Sequence, residues 1–370
     1  MFIDAMGLIL ADHKRIQLGE LSRPRALAAM PFGGRYRIVD FMLSNMVNSE
    51  ITRVGLITMN KYKSLMDHLG TGSSWDLDRK QPGLNILPPY ITSENMGYGV
   101  EGDDLTGLID YFRASSEKYV IVSNSNVIFN TTFNEIVAKH ENSGADITVM
   151  YNRDGLLGGS PCVIMDMDRR GRVRDVMLNP EKTTFNRRSL GVVVIARDLL
   201  IDFISSQISH GEFEFSVELL LRQYDRMHVK GFEYKGLILR VNSIKSYFES
   251  TMRLLEEDVR QKLFWSGLPV YTKVKDEAPI LYLDENHVSN STISDGCRIM
   301  GTVENSMIFR SVTISRNAKV RNSIIFQNVH ISEGCELENV IIDKDCVLRP
   351  GVKLIGQADY PVVIGKGAIV

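Results

Sequence analysis

The sequence predicts an α/β domain built on a mostly parallel, mixed sheet, followed by a hexapeptide β-helix. Three observations lead there. Up to about residue 235, short β-branched runs alternate with helical stretches, the pattern of βαβ units. From residue 287 onward four segments, 293–299, 314–320, 331–337 and 342–347, share one frame, as short stacked rungs do. Between the two textures, 264–286 holds Pro269 and Pro279, lacks helical period and reads as a linker joining domains at 1–263 and 287–370.

The elements follow in order. An apolar strand at 7–11 opens the chain, a polar, basic loop follows to Pro31-Phe32-Gly33-Gly34, and a helix runs over 39–47. Strand, loop and helix in that order place a phosphate-binding loop at the carboxyl end of a strand. Such a loop wants glycine, so that backbone N–H groups can approach a pyrophosphate. Here it reads Asp12-His13-Lys14-Arg15-Ile16-Gln17, with no glycine before Gly19. Further strands are expected at 54–58, 119–123, 146–151, 161–166 and 190–195, with helices at 133–142 and 215–224. The stretch 151–195 reads as an antiparallel addition with Arg169-Arg170-Gly171-Arg172 as its hairpin turn. Phe248, Met252, Leu255, Val259 and Leu263 recur at spacings of three and four, which predicts one long amphipathic helix over 245–264.

In the repeats an aliphatic residue returns after six positions in the first three segments, and the fourth, ending at Val347, reads one residue shorter. The fifth place is small: Cys297, Ala318, Cys335 and, in the fourth, Cys346. Small residues at one recurring place suit a narrow prism interior. The four cysteines, Cys162 included, therefore read as buried thiols without a redox or metal role. Paired carboxylates at Asp76 and Asp78 read as part of a structured loop.

Bulk properties bound the function. The 370 residues are 44% hydrophobic and 24% charged, an ordinary globular composition, and the net charge of −2 leaves no footprint for nucleic acid or an anionic membrane. No run of ~18 apolar residues exists, so a cytoplasmic protein is expected.

The runs PFGGRYRIVDFMLSNMVNSEITRVGLIT and HLGTGSSWDLDR, with the C-terminal repeats, resemble the bacterial glucose-1-phosphate adenylyltransferase (ADP-glucose pyrophosphorylase) family, and within it the GlgD-type subunit. The resemblance implies a Rossmann-like nucleotidyltransferase domain and a left-handed β-helix. It implies a reaction in which ATP and glucose 1-phosphate give ADP-glucose and pyrophosphate, with Mg²⁺ held by carboxylates. Positions can be compared one by one. The family loop G-G-x-G-x-R-L falls on Asp12 to Leu18, so its arginine is Gln17. The segment R-A-K-P falls on Arg25-Ala26-Leu27-Ala28, so its lysine is Leu27. The first metal aspartate falls on Ser125 and the second on Arg240. A hydroxyl is a poor Mg²⁺ ligand and a cation opposes one. The sugar-phosphate lysine has two competing alignments, at Glu181-Lys182 or Asn179-Pro180.

What persists is Pro31 to Arg37, where Arg35 matches a position that the resemblance ties to a phosphorylated sugar effector. Arg23, Arg25, Arg35, Arg37 and Arg53 form a local basic excess, and Arg25, Arg35, Arg37 and Arg53 are the candidate anion ligands. The resulting expectation is a catalytically deficient, regulatory partner of a catalytic adenylyltransferase subunit in a tetramer, without its own metal or cofactor. The rivals are an active nucleotidyltransferase using substitute residues and a homo-oligomeric sensor of sugar phosphates or nucleotides. A hexapeptide-repeat acyltransferase is disfavoured, since His287 and His330 lack a setting for a general base.

Overall fold

The computed structural model describes residues 3–13, 15–58, 61–79, 82–87, 105–153, 162–212, 214–283 and 286–370. Lys14 and Pro161, which the sequence reading includes, lie outside them.

The first domain is organised by a nine-stranded mixed sheet. Strand Ala5–Leu10 is buried along its whole length and pairs in parallel with Val54–Ile57 on one side and Tyr119–Asn124 on the other; Leu84–Leu87 extends the parallel part. Burial on both faces explains why these strands read as unbroken apolar runs. Arg187–Ala196 crosses antiparallel to Tyr119–Asn124, and pairs further with Ile147–Asn152 and with Val163–Met167. Val163–Met167 and Val173–Leu178 form the expected antiparallel addition, with Gly171 at φ 78° in their turn. Val229–Glu233 closes the other branch, parallel to Ile147–Asn152.

Helix Ile38–Asn48 packs against this sheet and is the structural hub. Asp40, at its third position, accepts the N–H of Arg37 at 3.0 Å, contacts His68 Nε2 at 2.6 Å and accepts from Thr272 Oγ1 at 2.5 Å. Ser44 Oγ accepts the N–H of Tyr271 and Asn48 Nδ2 donates to the carbonyl of Pro269. The segment expected as a linker is thus tied along this helix, side chain by side chain.

The long helix expected over 245–264 is broken. Helices Ile244–Met252 and Glu257–Phe264 are separated by a tight turn at Arg253–Leu255, with Glu256 extended at φ −77°, ψ 129°. The break leaves the apolar positions inward: Phe248, Leu255, Val259 and Leu263 are all buried. Helical period survived because each half keeps its own face to the core. Likewise 215–224 is a short helix, Val217–Leu221, followed by a tighter turn.

The second domain is a left-handed β-helix of three five-stranded parallel sheets. Its first sheet begins at Leu281–Tyr282, inside the stretch expected as linker, which pairs with Arg298–Ile299. The fourth repeat does not run one residue short. Val347 is 39% exposed, whereas Leu348 is fully buried and pairs with Ile331, so the six-residue return holds from Ile342. Cys297, Cys335 and Cys346 are buried, and their thiols donate to the carbonyls of Phe309, Arg349 and Gly365 in the next coil. Burial pushes the Cys297 thiol up to about 11. Cys162 differs from the expectation, being half-exposed.

One corner of the prism carries an asparagine ladder. Asn290, Asn305, Asn322 and Asn339 all have positive φ, and each of the first three passes an amide N–H to the Oδ1 of the next. Asparagine is the side-chain-bearing residue that best tolerates this backbone while linking coils. Among the described residues no helix is long and apolar enough to cross a membrane. Asn322→Ala removes the ladder and strains the backbone, and should cost about 2 kcal/mol in chemical denaturation; Asn322→Gly, which relieves the strain, should cost about half of that.

Candidate functional site

The carboxyl ends of the parallel strands converge on a cleft of about 460 Å³, counting its open mouth. Two sequence-distant segments meet there because Val127–Ile128 pairs antiparallel with Leu239–Arg240, aligning Arg240 with Val127. Asn126 Nδ2 donates to Asn242 Oδ1 at 2.6 Å and closes the pair. Arg240, 115 positions after Ser125, is therefore brought level with a residue two places beyond it.

Neither offers a metal ligand. Ser125 is buried and its hydroxyl donates back to the carbonyls of Leu10 (2.9 Å) and Ala11 (3.2 Å). Arg240 donates to Asn152 Oδ1 at 2.6 Å and to the carbonyl of Ser189 at 3.2 Å. The one carboxylate lining this cleft, Glu218, lies 3.2 Å from His13 Nε2 and accepts from Asn124 Nδ2 at 3.3 Å. Burial alone would raise the Glu218 carboxyl, but the hydrogen bond and charge of His13 hold it below the usual glutamate range. Among the described residues no group of three or more His, Cys, Asp or Glu could hold a metal ion. The residues present do not fit the Mg²⁺ that the resemblance implies.

The other predicted positions are dispersed. Gln17 is exposed, and Leu27 is buried in a core shared with Phe32, Phe41 and the β-helix. Lys182 is exposed and away from the cleft, whereas Asn179 lines it and its Oδ1 accepts the N–H of Cys162. Gly191 shows why the strand bulges here: at φ 68° it passes so close to Asn124 that a Cβ would meet the amide at 2.8 Å.

The arginines do not form one cluster. Arg53 sits at the amino end of its strand, paired with Glu117 at 2.9 Å. Arg35 is exposed above the Tyr36 ring at 5.8 Å, and Arg23 pairs with Glu20 at 3.5 Å. Arg25 is buried, its Nη2 donating to both oxygens of Asp343 in the β-helix at 2.8 and 3.0 Å, while its Nη1 is buried without a partner among the described residues. Arg37 donates to the carbonyl and hydroxyl of Ser64 at 2.6 and 2.7 Å. Burial pulls Arg37 down to about 10, with Arg25 adding to the fall and Asp40 opposing it. Lys344, next in the β-helix, completes the group: burial, then Arg37 and Arg25, lower it to about 7. Gly34 lies so near Ser294 that a Cβ would meet its Oγ at 2.7 Å, which seats this loop on the β-helix.

Residues 6–232 match the Nucleotidyl transferase family, and residues 282–359 the GlmU-like C-terminal hexapeptide. The chain is 34% identical to the glycogen biosynthesis protein GlgD of Bacillus subtilis (strain 168) over 98% of its length and 96% of that protein. It is 38% identical to GlgD of Geobacillus stearothermophilus, with the same coverage of each. The chain belongs to the glucose-1-phosphate adenylyltransferase family. A member from Thermosipho africanus (strain TCF52B), called glucose-1-phosphate adenylyltransferase, is 33% identical over 86% of this chain and 78% of its own length.

Within that family fold, sequence reasoning found Arg240, which lines the cleft, and Ser125, which is buried outside its lining, but missed Arg188, Asp343 and Lys344. Arg188 sits within a strand and carries no motif. Asp343 and Lys344 lie in the Ile342-Asp-Lys-Asp-Cys frame, where they read as turn residues. Only the docking of the β-helix shows what they face.

Two outcomes follow at the junction. Asp343→Ala strands Arg25 in a buried site and should cost about 3–5 kcal/mol, whereas Arg25→Met with Asp343→Leu should cost far less, read by urea denaturation. Lys344 keeps its proton up to about 10.5 when unfolded but releases it near 7 in the fold. Unfolding therefore takes up a proton in that window, so stability rises as pH goes from about 7 towards 10.5. Lys344→Met should raise Tm at pH 7 and flatten that rise.

Proposed function

We propose that this chain is a catalytically deficient subunit of glucose-1-phosphate adenylyltransferase in glycogen biosynthesis, acting as the regulatory partner of a catalytic subunit in a hetero-oligomer. The observation that carries the reading is a pair of side chains: a buried serine hydroxyl spent on backbone carbonyls, and an arginine lining the cleft, where the family reaction wants carboxylates. Phosphoryl and nucleotidyl transfer depend on charge neutralisation at the transferred group, so losing both metal carboxylates removes orders of magnitude in rate. The relatives named GlgD support the pathway.

The regulatory part rests on the junction. Arg25, Arg37 and Lys344 gather around Asp343, with Arg25 Nη1 donating to nothing among the described residues. A phosphorylated sugar held there would touch both domains at once and could bias their packing, which a catalytic neighbour would sense through the assembly. Cytoplasmic localisation and a tetramer complete the proposal.

The test is pyrophosphate release from ATP and glucose 1-phosphate with Mg²⁺. The chain alone should give less than about a thousandth of the rate of a catalytic subunit, and mixing the two should raise that subunit's rate or its response to activator. Turnover by the chain alone comparable to the catalytic subunit, or a mixture no different from its parts, rejects the reading.

A further inference from the structure

Lys344 is a buried primary amine to which the surrounding fold offers no acceptor. Its backbone is pinned at a corner of the β-helix. The Lys344 N–H donates to Asp343 Oδ1 at 2.7 Å, and its carbonyl accepts from the Gly367 N–H at 2.9 Å and from the Cys346 thiol. The residue is only 7% exposed, and among the described residues its Nζ makes no hydrogen bond or ion pair. The next coil offers a comparison. Ile342 pairs with Ile364, so Lys366 stands at the equivalent place, where its ammonium is exposed and pairs with Asp345 at 3.5 Å. Around Lys344 the neighbours are mostly of its own sign: Arg37, Arg25 and Lys275 oppose its charge and Asp343 favours it. That carboxylate is already engaged by Arg25 Nη2 and by the Lys344 N–H. Burial and these cations bring the amine down to about 7, so near neutrality it holds a free lone pair. A second group here is also unsatisfied, since Arg25 Nη1 is buried without a partner among the described residues. A negative charge on the lysine would answer both wants at once.

We propose that Lys344 is a carbon dioxide-binding site, its amine forming a carbamate whose carboxylate is received by Arg25 Nη1 and Arg37. The step balances without another reactant. The Nζ lone pair bonds to the carbon of CO₂, one C–O π bond opens to give the carboxylate, and an N–H proton leaves to water. An ammonium has no lone pair to give, which keeps exposed lysines, protonated near neutral pH, out of the reaction. Carbon dioxide is small and uncharged, so it reaches a residue too enclosed for a bulky acyl donor. The product places an anion among guanidiniums, and carboxylate with guanidinium is the charge-assisted pairing these side chains favour. Because Arg25 and Arg37 belong to the first domain and Lys344 to the β-helix, the carbamate ties the two together. The inference concerns this chain alone and needs neither a catalytic partner nor a bound sugar phosphate.

The experiment equilibrates the full-length chain with isotope-labelled bicarbonate or in CO₂-free buffer. Any carbamate is fixed as its methyl ester with trimethyloxonium and mapped by peptide mass spectrometry. At about pH 8 the label should sit on Lys344 and not on Lys366, and at about pH 6 with equal dissolved CO₂ it should fall about tenfold as the amine regains its proton. Lys344→Gln and Lys344→Arg should abolish the label, and Arg37→Met should reduce it several-fold. Dissolved CO₂ should raise the Tm of the native chain by about 2 °C at about pH 8, since it reacts with the folded amine and not with the protonated unfolded one. Lys344→Gln should lose that shift. No label on Lys344, equal label on Lys366, a yield that holds as pH falls, or a native Tm indifferent to CO₂ each overturns the proposal. The mapping and the Tm shift are read on the native chain, so the test stands even where a variant does not fold. A chain that takes the label but leaves a catalytic partner unchanged keeps this site and removes the regulatory proposal, so the two fail separately.

Discussion

The buried pair between Arg25 and Asp343 is the interaction on which the arrangement of the two domains depends. A guanidinium 2% exposed and a carboxylate fully buried must meet, since either alone in that position would be intolerable. Their meeting fixes the loop from Arg25 to Arg37 against one side of the β-helix. Around the pair the two domains share a single core: Phe309 and Phe326 of the β-helix pack with Tyr247, and Tyr247 donates its buried hydroxyl to the carbonyl of Pro31. The ion pair supplies direction to an interface whose stabilisation comes mainly from apolar burial.

A second consequence is that two cationic regions of different character lie in one molecule. At the junction, Arg25, Arg37 and Lys344 surround an internal carboxylate, and burial, with repulsion from the neighbouring cations added to it, depresses the proton affinity of Arg37 and Lys344. In the cleft, Arg240 is held by Asn152 and the carbonyl of Ser189. Ser125 has been turned into a staple between two strand ends, and His13 and Glu218 fill space that a glycine loop would leave to phosphates.

Much of this was legible in order along the chain. Parallel strands buried on both faces announce themselves as apolar runs, and the six-residue return announces the β-helix, because each depends on periodic burial close in sequence. Misreadings arose where periodicity is blind. The break at Glu256 keeps every apolar residue of 245–264 inward, so the pattern could not reveal it. Val347 and Leu348 are both aliphatic, and only pairing decides that the second faces inward. Cys162 resembles the other cysteines in type but lies on the wall of the cleft, outside any coil.

By itself the sequence determined the two folds and the family, since both are carried by local pattern. It could not determine which arginine answers to which charge. Arg25, Arg35, Arg37 and Arg53 look alike as a basic cluster, yet one is paired across the domains, one is exposed, one is bound to a helix and one is held by Glu117 at the far end of the sheet. Charge acts through space over a few ångströms, and partners such as Asp343 lie hundreds of residues away. Only the tertiary structure brings them together.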